Sequence, residues 1–350
     1  MSMRIFLSSV VTLFVGGIFL SRAACSERSR GEPRDNAAWG VTEEKENLFN
    51  TYSIVACDSS NGDLGVAVQS KAFAVGARVP FARAGVGAVA TQALTNSSFG
   101  PRGLELLEKG LSPQQTIDSL LKPDDRPSRR QLAIVDAKGH RAVFTGDSAT
   151  DWKGSKTGAN YSCQGNLLAS QAVVDSMAAA FELTRGELAE RLMAALEAGQ
   201  RQGGDSRGMQ SAALVVVREG GGYAGYNDRY IDLRTDDAPN PLAELHRLLN
   251  KVLAFNAILK AETFRDLKDY EKMAQEARRA VGLDPRTGYN WYQLGCYLAM
   301  GGKLAQAKEN LKKAFDLDEN LIATARSDSD LDNLLHDEEF RKMTGLLRVK

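Results

Sequence analysis

Side chains that commonly bind metals are scarce in this 350-residue chain, which has three histidines and four cysteines. His140, His246 and His336 lie far apart, and Cys25, Cys57, Cys163 and Cys296 form no Cys-x-x-Cys pair. A His/Cys metal site therefore has no support, since such sites draw their ligands from short, characteristic spacings. Net charge is missing as well, with 44 Lys+Arg against 44 Asp+Glu. That balance makes no electrostatic case for nucleic acid or an anionic membrane, both of which want a basic patch. A nucleotide motif is also lacking. Residues 85–90 superficially match a dinucleotide fingerprint, but they lie inside a strand-like run rather than between a strand and a helix. Metal, cofactor and nucleic acid are all expected to be absent.

A long apolar run stands at the N-terminus. Arg4 precedes an uncharged, mostly apolar stretch over 5–20, and Ser21-Arg-Ala-Ala-Cys25 offers small residues where a signal peptidase cuts. This is the pattern of a secretory signal, and the run is shorter than the ~20 residues a membrane span needs. The expectation is export to the periplasm or the medium, with no membrane span after processing. A lipoprotein signal, with Cys25 lipidated, is the alternative, although Arg22 sits where that signal prefers an aliphatic residue. Cys57 and Cys163 fall in apolar, strand-like runs, where a buried free thiol is the expected state. A disulfide between them after export is the alternative, because sequence does not set their distance.

Residues 26–47 are polar and charged without apolar period and predict a linker. Order is expected to begin at Thr51. Runs 51–57 and 64–71 flank the turn cluster Asp58-Ser-Ser-Asn-Gly-Asp63 and predict a hairpin. A strand over 86–91, short helices over 103–109 and 113–121, and a second hairpin (131–136 with 141–145) follow. Next come a strand over 161–165, helices over 171–183 and 185–202, a fully apolar strand over 211–217, and one or two strands within 223–233. This order is neither a regular βαβ alternation nor all-β. Two sheets sandwiched between helix layers satisfy it.

Pro239-Asn240-Pro241 marks a boundary, beyond which the chain reads as helical. Trp291, Leu294, Gly295, Ala307, Leu311 and Ala314 fall at the spacing of a tetratricopeptide unit, with Ala280 and Pro285 in the matching slots of the unit before. Residues 321–347 resemble the Asp-rich segment that closes such repeats, with Leu331, Leu334, Leu335 and Phe340 as its apolar face. An ordinary helical bundle is the alternative. Repeats of this kind present a groove to a peptide or protein partner.

The runs Thr51-Tyr-Ser-Ile-Val-Ala56, Gly62-Asp-Leu-Gly-Val-Ala-Val-Gln-Ser-Lys71 and Ala84-Gly-Val-Gly-Ala-Val-Ala-Thr-Gln-Ala93 resemble the opening of a family known as domain of unknown function 1028. Phe99-Gly-Pro-Arg-Gly103, Gln164-Gly-Asn166, Gly204-Asp-Ser-Arg-Gly-Met-Gln-Ser-Ala-Ala213 and Asp228-Arg-Tyr-Ile-Asp-Leu-Arg234 continue the match in order, over roughly 51–249. That family is grouped with the N-terminal nucleophile hydrolases, a proteasome-related class. The resemblance implies an α+β fold, a four-layer αββα sandwich, followed here by an all-α tetratricopeptide-like tail. The expected layout is a signal peptide over 1–24, a linker over 25–50, the sandwich over 51–240 and the helical region over 241–350.

In that class a threonine heading the chain is the nucleophile, and its free α-amine is the general base. Such an amine titrates near pH ~8, close enough to neutrality to take up a proton. Thr51 is the candidate, provided that the chain is cut between Asn50 and Thr51. Lys71 ends the strand that pairs with the Thr51 strand, and a nearby cation lowers the amine pKa and stabilises an oxyanion. By resemblance, Asp205 and Ser211 support the threonine. Gln92, Asn96, Asn166 and Arg207 are the candidates for binding a substrate amide or forming an oxyanion hole. Each has a plainer structural alternative: Thr51 a strand start, Lys71 a solvated strand end, Asp205 and Arg207 a turn and its ion pair. The expected activity is hydrolysis of an amide bond in an unspecified substrate; the alternative is a non-catalytic exported scaffold that recruits a partner through its repeats. Homo-oligomerisation is left open by the sequence.

Overall fold

The asparagine, serine and glycine between residues 58 and 63 close the first hairpin. The Asp58 carboxylate accepts Ser60 N–H at 3.0 Å, and Gly62 takes a left-handed φ of 78° that a side chain would resist. In this computed structural model, which describes residues 51–347, the turn pairs β1 (Thr51–Asp58) with β2 (Asp63–Ser70), in register from Asp58↔Asp63 to Thr51↔Ser70. Arg218 clamps the turn by two 2.7 Å bonds to the buried Asp63 carboxylate. The expected signal peptide, Cys25 anchor and linker lie outside the described residues.

The remaining strands are β3 (Pro80–Arg83), β4 (Gly87–Ala93), β5 (Arg130–Asp136), β6 (Arg141–Thr145), β7 (Gly154–Thr157), β8 (Tyr161–Asn166), β9 (Ser211–Val217) and β10 (Arg229–Thr235). They form a six-stranded antiparallel sheet, β10-β9-β2-β1-β8-β7, and a four-stranded one, β3-β4-β5-β6. β1 lies inside the larger sheet with both faces buried, and so does β9, whose sequence after Ser211 is a continuous apolar run. β3 and β7 escape the sequence pattern because they are four-residue edge strands with little apolar alternation. Within 223–233 only one strand forms, from Arg229, because the glycines at 220–222 and 225 turn the chain first.

Helices α1 (Phe99–Glu108) and α2 (Pro113–Leu121) cover the outer face of the four-stranded sheet, burying Phe99, Leu104, Ile117 and Leu120 on Val89, Leu132 and Ile134. Ser112 opens α2 with a reciprocal cap to Gln115, and Pro113 follows at the first helical position. Helices α3 (Ala172–Leu183) and α4 (Leu188–Arg201) cover the outer face of the larger sheet, on Tyr52, Ile54 and Ala56. Between the sheets lie Val55, Cys57, Val66, Val68, Ala90 and Ala133. Cys57 and Cys163 are free, buried thiols on opposite faces of the larger sheet, so the alternative disulfide does not form.

Helix α5 (Pro241–Glu262) starts where the boundary was expected, with the Asn240 side chain capping Ala243 N–H at 3.1 Å. It belongs to both halves, however. Leu242, Leu245, Leu249 and Leu253 complete the core on the outer face of the larger sheet, whereas Ala254, Ala257, Ile258 and Ala261 begin the core of the tail. Ending the chain at residue 240 should therefore expose a leucine seam and give an insoluble product, while ending it after Glu262 should leave a soluble, folded domain. Circular dichroism and gel filtration of the two truncations check this. Leu249→Ala in the full chain should cost about 2–5 kcal/mol.

The tail continues as α6 (Tyr270–Leu283), α7 (Gly288–Met300) and α8 (Leu304–Leu317). A Cβ at Gly295 would meet Leu311 at 2.7 Å, so this glycine lets α7 and α8 approach closely. Leu331, Leu334 and Phe340 of the closing segment are fully buried in the same core. Arg279 bonds Glu187 at 3.0 Å, joining the tail to the first domain, and His246 Nδ1 lies 2.6 Å from Glu197. The Glu197 bond raises the His246 pKa, against an opposing effect of burial. A raised histidine pKa contributes stability that is complete below its ordinary value of ~6.5 and is lost as pH rises through the raised value. The imidazole is 44% exposed, so screening keeps the effect small. The melting temperature should fall slightly as pH rises above the ordinary histidine value of ~6.5, and His246→Gln should flatten that slope.

Among the described residues no helix is long and apolar enough to cross a membrane, and no cluster of three His, Cys, Asp or Glu side chains is placed to hold a metal ion.

Candidate active site

At one end of the larger sheet, four polar residues stand in register on neighbouring strands. Asn166 on β8 pairs with Thr51 on β1, Thr51 with Ser70 on β2, and Ser70 with Ser211 on β9. Residues directly opposite share a face, and here that face is the gap between the sheets, as with Val55 and Val68. All four are buried, Thr51 at 3% exposure. The Thr51 hydroxyl donates to Ser70 Oγ at 3.2 Å.

Beneath this row runs a network of neutral side chains. Gln92 Nε2 donates to the Thr51 carbonyl at 3.3 Å and to Gln131 Oε1 at 2.8 Å, and Ser53 Oγ donates to Gln92 Oε1 at 2.7 Å. Gln131 Nε2 donates to the Gly165 carbonyl at 2.8 Å, and Asn166 Nδ2 to Gln131 Oε1 at 2.9 Å. Gln164 Nε2 donates to Ser53 Oγ at 2.7 Å. The carbonyls of Thr51 and Gly165 are acceptors that cannot flip, so they orient the amides of Gln92 and Gln131. In turn, Asn166 must present its nitrogen to Gln131, and its buried Oδ1 faces away without a hydrogen-bond partner.

The other candidates knit loops onto the same sheet end. Asp205, 1% exposed, accepts Lys71 N–H at 3.0 Å and holds Arg207 by Nε at 3.1 Å and Nη2 at 2.8 Å. Ser211 Oγ donates to the Ala72 carbonyl and accepts Val75 N–H at 3.0 Å. Lys71 follows Ser70 and therefore leaves the strand on the alternate side; its Nζ donates to the Met209 carbonyl at 3.1 Å, and no hydrogen bond joins it to Thr51. Asn96 stands apart, taking Ser98 N–H at 3.1 Å and donating to Asp124 at 3.3 Å ahead of α1. Lys71, Ala72, Phe73, Arg78, Arg207 and Gln210 are among the residues that line a cleft of ≈ 520 Å³, and a second hollow of ≈ 380 Å³ shares Lys71 and Gln210.

A family model described as "Family of unknown function (DUF1028)" matches residues 51–245. The chain belongs to this family. A crystal structure of a DUF1028 protein from Silicibacter pomeroyi is similar, with 32% identity and a TM-score of 0.53, covering 58% of this chain and 85% of that one. A tetratricopeptide-repeat model matches 257–287 and 289–321, and repeats of that type serve protein–protein interaction. None of the curated proteins matches the chain.

The DUF1028 domain thus brings Thr51, Asn166, Ser211, Asp205 and Lys71 to one sheet end, with Gln92 below them and Arg207 on the cleft. Reading the sequence overlooked Ser70, Gln131 and Gln164. Ser70 was countable from the turn, since pairing outward from Asp58↔Asp63 ends at Thr51↔Ser70. Gln131 has no such local signal, because its partners arrive from the opposite sheet. Backbone strain marks the same region: Ala74, Ala93 and Leu167 take left-handed φ of 51°, 63° and 50°, and the last two directly follow Gln92 and Asn166. Non-glycine residues adopt this conformation at a cost of roughly 1 kcal/mol or more, and such residues gather at functional sites.

Proposed function

We propose that this DUF1028 protein is an exported amide hydrolase whose nucleophile is Thr51, freed as a chain terminus by cleavage after Asn50. Its domain is then a four-layer αββα sandwich of the N-terminal nucleophile kind. The observation that carries this reading is the Thr51 hydroxyl at the head of an internal strand, bonded to Ser70 and in register with Asn166, whose buried Oδ1 has no partner. Once freed, the α-amine accepts the hydroxyl proton as the oxygen attacks the amide carbon, then passes it to the leaving amine. The unpartnered Asn166 Oδ1, opposite Thr51, is suited to hold that amine in place. It is an acceptor, so it cannot stabilise an oxyanion; that task needs a hydrogen-bond donor. Asp205, Ser211 and Gln92 act as positioning residues, through the loop that carries Lys71 and through the Thr51 carbonyl. Mass spectrometry of the protein from its native host tests the reading: a mature chain beginning at Thr51 is expected, and one intact across Asn50–Thr51 rules the mechanism out.

The repeats favour a second reading, a non-catalytic scaffold that recruits a protein partner. Its test is a truncation after Glu262, because a cut at 240 strips leucines from the sandwich. Loss of partner capture on that truncation, with no effect of Thr51→Ala, distinguishes the scaffold from the hydrolase.

A further inference from the structure

We propose that Gln131, on the smaller sheet, is a positioning residue for Thr51: it holds Asn166 in the one amide orientation that leaves the terminal amine able to act as base. This rests on the hydrolase reading and adds a residue that works from behind that site. Two polar rows meet between the sheets. Asn166, Thr51, Ser70 and Ser211 stand in register on the larger sheet, and Gln92, Gln131 and Thr145 on the smaller one. Gln131 is fully buried at the centre of the second row. Its Nε2 donates to the Gly165 carbonyl at 2.8 Å, to Thr145 Oγ1 at 3.0 Å and to the Gly154 carbonyl at 3.4 Å. Two of these are carbonyls, which only accept, so Nε2 must face them and Oε1 is left for other donors. Oε1 accepts Asn166 Nδ2 at 2.9 Å and Gln92 Nε2 at 2.8 Å. Gln92 is held a second time, by Ser53 Oγ on its Oε1. Asn166 is not. Among the described residues Gln131 is the only hydrogen-bond partner of its side chain, so the direction of Asn166 depends on Gln131.

The orientation matters because a neutral amine has both N–H groups to donate and a lone pair to accept the hydroxyl proton. Asn166 Oδ1, opposite Thr51, can only accept, so it engages an N–H and leaves the lone pair to the Thr51 hydroxyl. An Asn166 amide turned over presents Nδ2–H instead, which occupies that lone pair and blocks the base. The two orientations have nearly the same shape, so hydrogen bonds alone separate them, and the bond to Gln131 supplies the difference. The charged groups at this sheet end have their own partners, which no change at Gln131 touches. Lys71 Nζ is on the Met209 carbonyl, Asp205 is on Arg207, and Arg130 is on Asp124 at 2.9 Å.

The test reads the terminal amine and needs no turnover. A chain starting at Thr51 is released from a fusion protein, and the isotope-labelled Thr51 Cβ resonance, assigned by its loss in Thr51→Ala, is followed by NMR across pH. Gln131→Leu lets Asn166 turn its donor to the amine, which disfavours the ammonium form. The titration midpoint should then fall by about one pH unit or more, the equivalent of one hydrogen bond to a charged group. Gln131→Glu keeps an acceptor facing Asn166 and should leave the midpoint in place or raise it, whereas a merely structural role would move both variants the same way. Melting curves confirm the fold; if Gln131→Leu fails to fold, Gln131→Ala carries the test, since water can fill its cavity without fixing a direction. On any amide that the unsubstituted protein hydrolyses, Gln131→Leu should lower kcat about tenfold or more with KM little changed, and Gln131→Glu should restore most of it. An unchanged midpoint in both Gln131→Leu and Gln131→Ala overturns the proposal, as does a fall in Gln131→Glu equal to that in Gln131→Leu. Absence of hydrolysis in the unsubstituted protein, with the midpoints moving as expected, removes the hydrolase and leaves the pairing of Gln131 with Asn166 standing.

Discussion

Thr51→Ala should abolish amide hydrolysis, with a loss of about 10⁴-fold or more, the scale seen when a covalent nucleophile is removed. The methyl group of alanine fills the same strand position, so the fold and the Gln92 bond to the residue 51 carbonyl are expected to survive. Thr51→Ser keeps a hydroxyl and should retain measurable turnover. The N-terminus of each variant adds a second readout. If the protein cuts itself with this hydroxyl, Thr51→Ala stays joined to Asn50; if another protease makes the cut, Thr51→Ala is cut but inactive. The pH profile carries a sign of its own. A general base must be neutral to accept a proton, so kcat/KM should rise with pH through the amine pKa, ordinarily near ~8 and lowered by a neighbouring cation. Acetylating the terminus should erase both the profile and the activity.

Gln131→Leu should be the most destabilising single change at this sheet end, costing about 3–5 kcal/mol in urea unfolding. The side chain accepts from Gln92 and Asn166 and donates to the Gly165 carbonyl and to Thr145 Oγ1 at 3.0 Å, all between two sheets where water does not replace them. Leucine has a similar size but leaves those groups without their partner. Asn96→Ala is the control, because the neighbouring Ser98 is exposed and recovers its hydrogen bonds from solvent. A loss below about 1 kcal/mol for Gln131→Leu would falsify the claim that this network holds the row together.

Local chemistry made much of the chain readable. The Asp-Ser-Ser-Asn-Gly-Asp turn dictates a hairpin, the apolar run of 211–217 dictates a strand covered on both faces, and Ser112-Pro113 starts a helix. Trp-x-x-Leu-Gly at 291–295 announces close helix packing, and Gly295 provides it. In these cases the deciding atoms lie within a few residues of one another. The shared helix was harder. Asn240-Pro241 correctly marks its start, but the switch between its two cores at Leu253 and Ala254 leaves no local sign, since both halves are apolar on one face.

The candidate site divides in the same way. Thr51 stood out as the head of the first strand, and Lys71 as the residue ending its partner strand. The alternation of strand side chains then separates them: Ser70 faces the threonine, while Lys71 turns to the cleft. Sequence by itself determined which residues are polar at strand ends and which strands must be buried, because turn chemistry and hydrophobic period act over short stretches. Only the tertiary structure decided that Gln92 and Gln131, from one sheet, meet Thr51 and Asn166, from the other. Facing sheets bring together residues far apart in the chain, and the partners of a buried amide are settled only when the sheets pack.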